Sequence, residues 1–130
     1  MADHPNVARI RDGYAAFAKG DFETLDGLFA EDLLWHESGR NRLAGDYRGR
    51  HAVYAHFGEL AKILEGTLQL DVQAVFADDE RGVALVASSA GSGGRTITGY
   101  GAQIFRLRDG KVVEFWGAPT DPYSFDELIG

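Results

Sequence analysis

Phe105-Arg106-Leu107-Arg108-Asp109-Gly110-Lys111-Val112-Val113-Glu114-Phe115-Trp116 is the stretch on which the fold class turns. Asp-Gly between two runs rich in β-branched and aromatic residues is the strongest short-range signal for a two-residue hairpin, because both central residues of that turn take positive φ. A turn at Asp109-Gly110 pairs Leu107 with Val112, Phe105 with Glu114 and Gln103 with Trp116, and cross-strand partners share a face. Upstream, the strand extends back to Arg95, well beyond the usual length of about 5–6 residues. Gly99 and Gly101 inside it permit a sharp bend, so the sheet is expected to curl. Gly91 to Gly94 read as a turn. Before it, Gly82 to Ala90 is a run of small apolar residues, expected as a strand covered on both faces. A further turn at Asp78 to Arg81 is preceded by Leu68, Leu70, Val72, Ala74 and Phe76, which alternate with Gln69, Asp71 and Gln73 in the period of a strand.

N-terminal to Leu68 the period changes to about 3.6. Val53, Phe57, Leu60 and Leu64 recur at helical steps until Gly66 ends the segment. At the start of the chain Val7, Ile10, Tyr14 and Phe17 form one stripe, with Asp3 as N-cap and Pro5 in the first turn. Lys19-Gly20 stops that helix, and Asp21 caps a second one with the stripe Phe22, Leu25, Leu28 and Phe29. Leu33 to Glu37 is a short strand candidate, followed by a glycine- and arginine-rich connection through Arg50. Ser124 with Glu127 reads as a capping box for a short terminal helix. The order is helix, helix, strand, helix and then four strands, which segregates helices from a mostly antiparallel sheet: an α+β fold in one domain over 1–130. A curled sheet with helices across its mouth encloses a pocket.

The composition narrows the function. In 130 residues, thirteen Lys and Arg against twenty Asp and Glu give a net charge of −7, a field that repels phosphate backbones and anionic lipid heads. No nucleic-acid partner is therefore expected. The longest purely apolar run, Val83 to Ala87, is far too short to cross a bilayer, so no membrane partner is expected either. Absence of cysteine removes disulfides, zinc-thiolate sites and thiol catalysis. The first twenty residues carry Asp3, Arg9, Arg11, Asp12 and Lys19 with no apolar stretch between them, and the expected location is the cytoplasm.

The hairpin of helices with Gly20-Asp21 and Leu28-Phe29-Ala30-Glu31-Asp32, the strand Trp35-His36-Glu37, the loop Leu43-Ala44-Gly45-Asp46-Tyr47-Arg48-Gly49-Arg50 and the hairpin Phe105 to Trp116 together resemble the SnoaL-like branch of the nuclear transport factor 2-like superfamily. The resemblance covers nearly the whole chain. It implies a cone-shaped, curved, mixed but mostly antiparallel sheet wrapped around three helices, the cystatin-like α+β roll, holding a small apolar molecule, usually in a homodimer. It is weak for reaction, because the superfamily includes isomerases, polyketide cyclases, dehydratases, epoxide hydrolases and proteins without catalysis. The ketosteroid isomerase relatives place a carboxylate base at the end of the first strand, and the shared anchors put Glu37 there. Their protonated aspartic acid falls on Gln103. Their helix-one tyrosine falls on Gly13, with Tyr14 one residue on. The chain thus keeps a carboxylate and a hydrogen-bond donor while altering the enolate-stabilising pair.

A carboxylate does acid or base work near neutral pH when apolar walls raise its pKa. Trp35 and Glu37 share a strand face, so Glu37 is expected beside an indole wall; the alternative is a carboxylate in solvent paired with Arg40. His36 points the other way, as a pocket residue only if that face assignment is reversed, or else as a half-buried histidine satisfied by backbone. Gln103 suits a carbonyl or a developing oxyanion, or bonds a neighbouring side chain within the sheet. Asp121 before Pro122 reads as a cap or as a second carboxylate at the pocket mouth. Tyr14, Phe17, Trp35, Tyr47, Tyr54, Phe57 and Trp116 are the substrate-binding candidates, although aromatic stripes at helical spacing also serve as plain core. Arg40, Arg42, Arg48 and Arg50 either admit an anionic ligand or form a solvated loop.

Other motifs fail on context. Ala90 to Gly94 approximates a nucleophile elbow but is followed by strand alternation instead of a helix. Gly99 and Gly101 lack the third glycine and the helix of a dinucleotide loop. His51 and His56 stand five apart, which is not the same-face spacing of a helical zinc pair. No metal and no cofactor are expected. The expectation is a cofactor-free enzyme moving a proton next to a carbonyl of an apolar small molecule, in an isomerisation, cyclisation or dehydration, with Glu37 as base or acid and Gln103 as donor. The alternatives are a ligand carrier and a dimeric interaction module with a filled cone.

Overall fold

Asp109 and Gly110 take φ of 53° and 78°, the positive pair that the hairpin signal demands, and join β5 (Arg95–Arg108) to β6 (Lys111–Pro119). In the computed structural model, which describes residues 3–130, the remaining elements are α1 (Pro5–Lys19), α2 (Phe22–Leu28), β1 (Phe29–Glu37), β2 (Gly45–Arg48), α3 (Arg50–Ile63), β3 (Gln69–Ala77), β4 (Arg81–Ser92) and α4 (Pro122–Ile129). Six strands form one curved, unclosed sheet in the order β2-β1-β6-β5-β4-β3. Only β1 and β6 run parallel; every other neighbouring pair is antiparallel. The α+β class and the curled sheet are as expected. At the bend of β5, a Cβ on Gly101 would stand 2.7 Å from the Ala118 carbonyl oxygen and from Pro119 Cα, so this approach of β5 to β6 excludes any side chain.

The helices pack into the concave face. Val7 and Ile10 of α1, Leu25 of α2 and Val53 and Phe57 of α3 meet Leu33, Val86, Phe105, Leu107 and Phe115 from the strands in one buried cluster. A second cluster of Leu60, Leu64, Ala90, Leu128 and Ile129 seats α4 against the far end of α3 and β4. No helix among the described residues is long and apolar enough to cross a membrane.

Several local expectations need correction, and each has a physical reason. His4, not Asp3, caps α1, its Nδ1 accepting from the Asn6 amide at 3.0 Å. Phe29 leaves the helical stripe and begins β1, because α2 stops after seven residues. The connection before Arg50 contains β2, whose strand character was hidden by glycine and charge. A bulge between Val72 and Ala74 flips the later part of β3, burying Val75 and leaving Phe76 62% exposed. A second shift between Arg106 and Leu107 moves the hairpin register by one beyond Val112, so Gln103 faces Gly117 and Trp116 faces Ile104. In β4, Ala84 and Val86 are buried but Val83, Leu85 and Ala87 are only half-buried, so one face of that strand is incompletely covered. Finally, Asp121 instead of Ser124 caps α4, and Ser124 donates its hydroxyl to Asp121 at 2.7 Å.

Candidate active site

The concave face of the sheet and the four helices line an open-mouthed cavity of about 210 Å³ with mainly apolar walls. Alternation along β1 turns Leu33, Trp35 and Glu37 inward. The Trp35 indole stacks on Phe115 with 3.6 Å between ring centroids, and Phe57 meets it edge-on at 5.0 Å. Phe17 closes against Phe57, also edge-on at 5.0 Å. Glu37 ends the strand on this aromatic wall and is among the residues lining the cavity.

Glu37 has a partner that sequence reasoning considered only as a zinc ligand. His56 Nε2 lies 2.7 Å from Glu37 Oε1, and the histidine side chain is fully buried while the carboxylate is 19% exposed. His56 Nδ1 is buried without a hydrogen-bond partner among the described residues. Its signal was present in the sequence: His56 falls three residues after Val53 and four before Leu60, on the buried stripe of α3. A histidine there must find a polar partner, because burying an unpaired polar group is costly.

On the neighbouring wall Tyr14 of α1 donates its hydroxyl to Gln103 Oε1 of β5. Burial pushes the Tyr14 phenol well above its ordinary value, so it is protonated. The hydroxyl proton is then committed to Gln103, which leaves the Gln103 amide N–H groups for a ligand. Tyr14 reaches the cavity, and Gly13 beside it also lines the wall.

The strand register explains how Glu37 and Gln103 come to one floor. Gln103 is opposite Gly117 in β6, and His36 is opposite Trp116, so the next residue of β1, Glu37, flanks Gly117 from the other side. Carboxylate, glycine and amide thus form a row across three strands, two interstrand spacings or roughly 10 Å from end to end. Gly117 supplies no side chain, and the space between the two polar groups stays open.

The other expected site residues lie elsewhere. His36 is on the convex face, between Asp46 at 2.7 Å and Glu114 at 2.6 Å, and it stacks on Trp116 at 5.2 Å. The Glu114 hydrogen bond, then Asp46, holds the imidazole above its ordinary value, against the opposing effect of burial. Strand alternation thereby removes both His36 and Trp116 from the cavity. Tyr47 packs behind the site, stacked on His56 at 4.1 Å and donating to the Leu43 carbonyl at 2.6 Å; burial and then the Glu37 charge raise its phenol. Tyr54 faces Phe22 at 4.8 Å and donates to Asp26 at 2.8 Å, outside the lining. Asp121 borders the mouth, but its carboxylate is held by Ser124 and Tyr123 as the α4 cap, and those bonds keep it below the ordinary range, unsuited to a neutral acid. Of the arginines, Arg50 donates to the Asp26 carbonyl at 2.7 Å, and none of Arg40, Arg42, Arg48 and Arg50 lines the cavity. Among the described residues, no three His, Asp or Glu side chains converge as a metal site.

The sequence pattern that defines the SnoaL-like domain matches residues 10–115. The uncharacterized protein Rv0034 of Mycobacterium tuberculosis is 29% identical, over 96% of this chain and 98% of its own. The solved structure of Bal32a, from a soil-derived mobile gene cassette, superimposes with a TM-score of 0.91 at 35% identity, covering 96% of each chain. TerC, co-crystallized with polyporic acid, superimposes with a TM-score of 0.85 at 23% identity, covering 97% of this chain and 98% of its own.

Proposed function

The chain belongs to the SnoaL-like domain family, and from that premise we propose that it binds a small apolar molecule in its cavity and moves a proton next to a carbonyl of that molecule without a cofactor. Glu37 takes the proton from carbon, the C–H electron pair passes into an enolate, and a Gln103 amide N–H donates to the enolate oxygen. Return of the proton from Glu37 to a different carbon completes an isomerisation; a β-hydroxyl that takes this proton and leaves as water gives dehydration, and attack of the enolate carbon on a second carbonyl, whose oxygen takes the proton, gives cyclisation. The observation that carries this reading is the row Glu37, Gly117, Gln103: a carboxylate and a free amide donor on one apolar floor with open space between them. TerC, a protein of the same fold, was co-crystallized with polyporic acid, which supports a small-molecule ligand.

The test uses a bicyclic aromatic of the right scale, 5-nitrobenzisoxazole, whose ring opens when a base removes its C3 proton. The C–H pair forms the nitrile and the N–O bond breaks to a phenolate, so no co-reactant is needed. Glu37→Gln should lower the rate by about 10²–10⁴-fold. Equal rates in the two proteins would remove Glu37 from the chemistry, and quenching of Trp35 by the probe without any Glu37-dependent turnover would favour a ligand carrier.

We also propose that the convex face of the sheet covers itself with a second copy of the chain. Ile104, 38% exposed, stands on that face with half-buried Trp116, Val83 and Leu85. A second copy related by a two-fold axis would cover these side chains with the same patch of its own surface. Light scattering should give twice the chain mass at micromolar concentration, and Ile104→Arg should halve it. A monomeric wild-type protein would refute the assignment.

A further inference from the structure

We propose that His56 is a positioning residue for Glu37: its Nε2–H occupies Oε1 and so makes Oε2 the oxygen that takes and returns the proton. This rests on Glu37 being the acid/base group.

The starting point is the buried nitrogen without a partner. His56 is fully buried, with Nε2 2.7 Å from Glu37 Oε1 and nothing bonded to Nδ1 among the described residues. The tautomer with its proton on Nδ1 would bury an N–H donor without an acceptor and turn the bare Nε2 lone pair toward a carboxylate oxygen. The arrangement that meets the carboxylate has Nε2 protonated. Which nitrogen carries the proton is set by the bond the other makes, and here the only bond is to a carboxylate oxygen. His56 therefore donates to Oε1.

The ring has little freedom to do otherwise. Tyr47 of β2 stacks on it at 4.1 Å with 22° between planes and is itself tied to the Leu43 carbonyl. Phe57 flanks it at 6.1 Å. The titratable groups packed against the imidazole are Glu37 from β1 and Tyr47 from β2.

The consequence for Glu37 is directional. With an N–H from His56 pointing at Oε1, a proton taken by Glu37 goes to Oε2, which has no hydrogen-bond partner among the described residues. Oε2 is the oxygen free to meet a ligand, and the same bond fixes the carboxylate rotamer. The arrangement reverses the more familiar carboxylate–histidine order, in which the histidine faces the substrate and the carboxylate orients it. Here the histidine is sealed and the carboxylate borders the cavity.

Uniformly ¹⁵N-labelled protein tests the assignment directly. Long-range ¹H–¹⁵N correlations should show a proton on Nε2 of His56, the nitrogen that faces Glu37. A proton on Nδ1 with Nε2 bare overturns the proposal without any substrate. A functional arm uses 5-nitrobenzisoxazole with His56→Gln, which places an amide N–H where Nε2–H stands, and with His56→Leu, which removes the donor. The glutamine variant should keep the rate within about threefold with an unchanged pH profile, while the leucine variant should lose roughly 10- to 100-fold through a misplaced carboxylate. Glutamine as poor as leucine would mean that the imidazole itself is required, and the proposal fails. Should Glu37→Gln react like the wild type, the assignment of Glu37 falls, and this one with it; a normal loss in Glu37→Gln alongside a failing glutamine variant overturns the His56 role alone. If the leucine variant does not fold, the nitrogen spectrum of the wild-type protein decides.

Discussion

Replacing Gly117 by alanine separates stability from binding, and the structure assigns the two effects opposite signs. A Cβ on Gly117 would meet Ser38 Oγ at 3.6 Å, an ordinary contact, and Gly117 is not among the positive-φ glycines, so the backbone accepts alanine without strain. Removing the conformational freedom of glycine from the unfolded chain should stabilise the fold by about 0.4–1 kcal/mol. For a chain of this length that raises Tm by roughly 2–4 °C. The added methyl, however, stands between Glu37 and Gln103 on the floor of a cavity of about 210 Å³. A ligand spanning both groups then meets overpacking of about 1–3 kcal/mol, or about 5- to 150-fold in affinity. Thermal melts and Trp35 quenching by 5-nitrobenzisoxazole read both quantities on one sample. A stabilised variant that binds and opens the probe as well as the wild type would refute the proposed floor; a strongly destabilised one would refute the packing around Gly117.

On the convex face, the His36–Glu114 pair should contribute fully between about pH 4.5 and 6.5, the ordinary values of the two groups. It is lost as pH rises through the elevated His36 value and as pH falls through the depressed Glu114 value, so His36→Gln should flatten that part of the urea-midpoint profile by at most about 1 kcal/mol; an identical pH dependence in the variant would refute the pairing. Tyr14→Phe removes the donor to Gln103 and should cost about 1–3 kcal/mol of stability by leaving the amide oxygen unpaired, measured by denaturant titration, and an unchanged midpoint would refute the pairing. Leu33→Ala, at a side chain with no exposure, should cost about 2–5 kcal/mol, and a loss below about 1 kcal/mol would mean that this part of the core is not packed as described.

The fold class was legible because its signals are local. Asp109-Gly110 demands positive φ at both residues whatever surrounds it, and the change of hydrophobic period near Leu68 reports burial one residue at a time. By the same logic Trp35 and Glu37 had to share a face, opposite His36. The sites of failure were places where one residue shifts everything after it. Bulges in β3 and in the β5–β6 hairpin displaced Phe76, and replaced Trp116 by Gly117 opposite Gln103. No side-chain pattern announces a bulge, because it is settled by how the whole sheet curves.

What the sequence determined by itself was the class of fold, the order of its elements and a carboxylate at the end of the first strand, since each follows from backbone preference and the alternation of neighbouring residues. Only the tertiary structure decided the company that carboxylate keeps. The contact of Glu37 with His56 spans nineteen residues and joins a strand to a helix, and that of Tyr14 with Gln103 spans eighty-nine. Such pairs depend on the angle and register at which separate elements pack, which are set by the summed fit of a buried core and not by the residues on either side of the site.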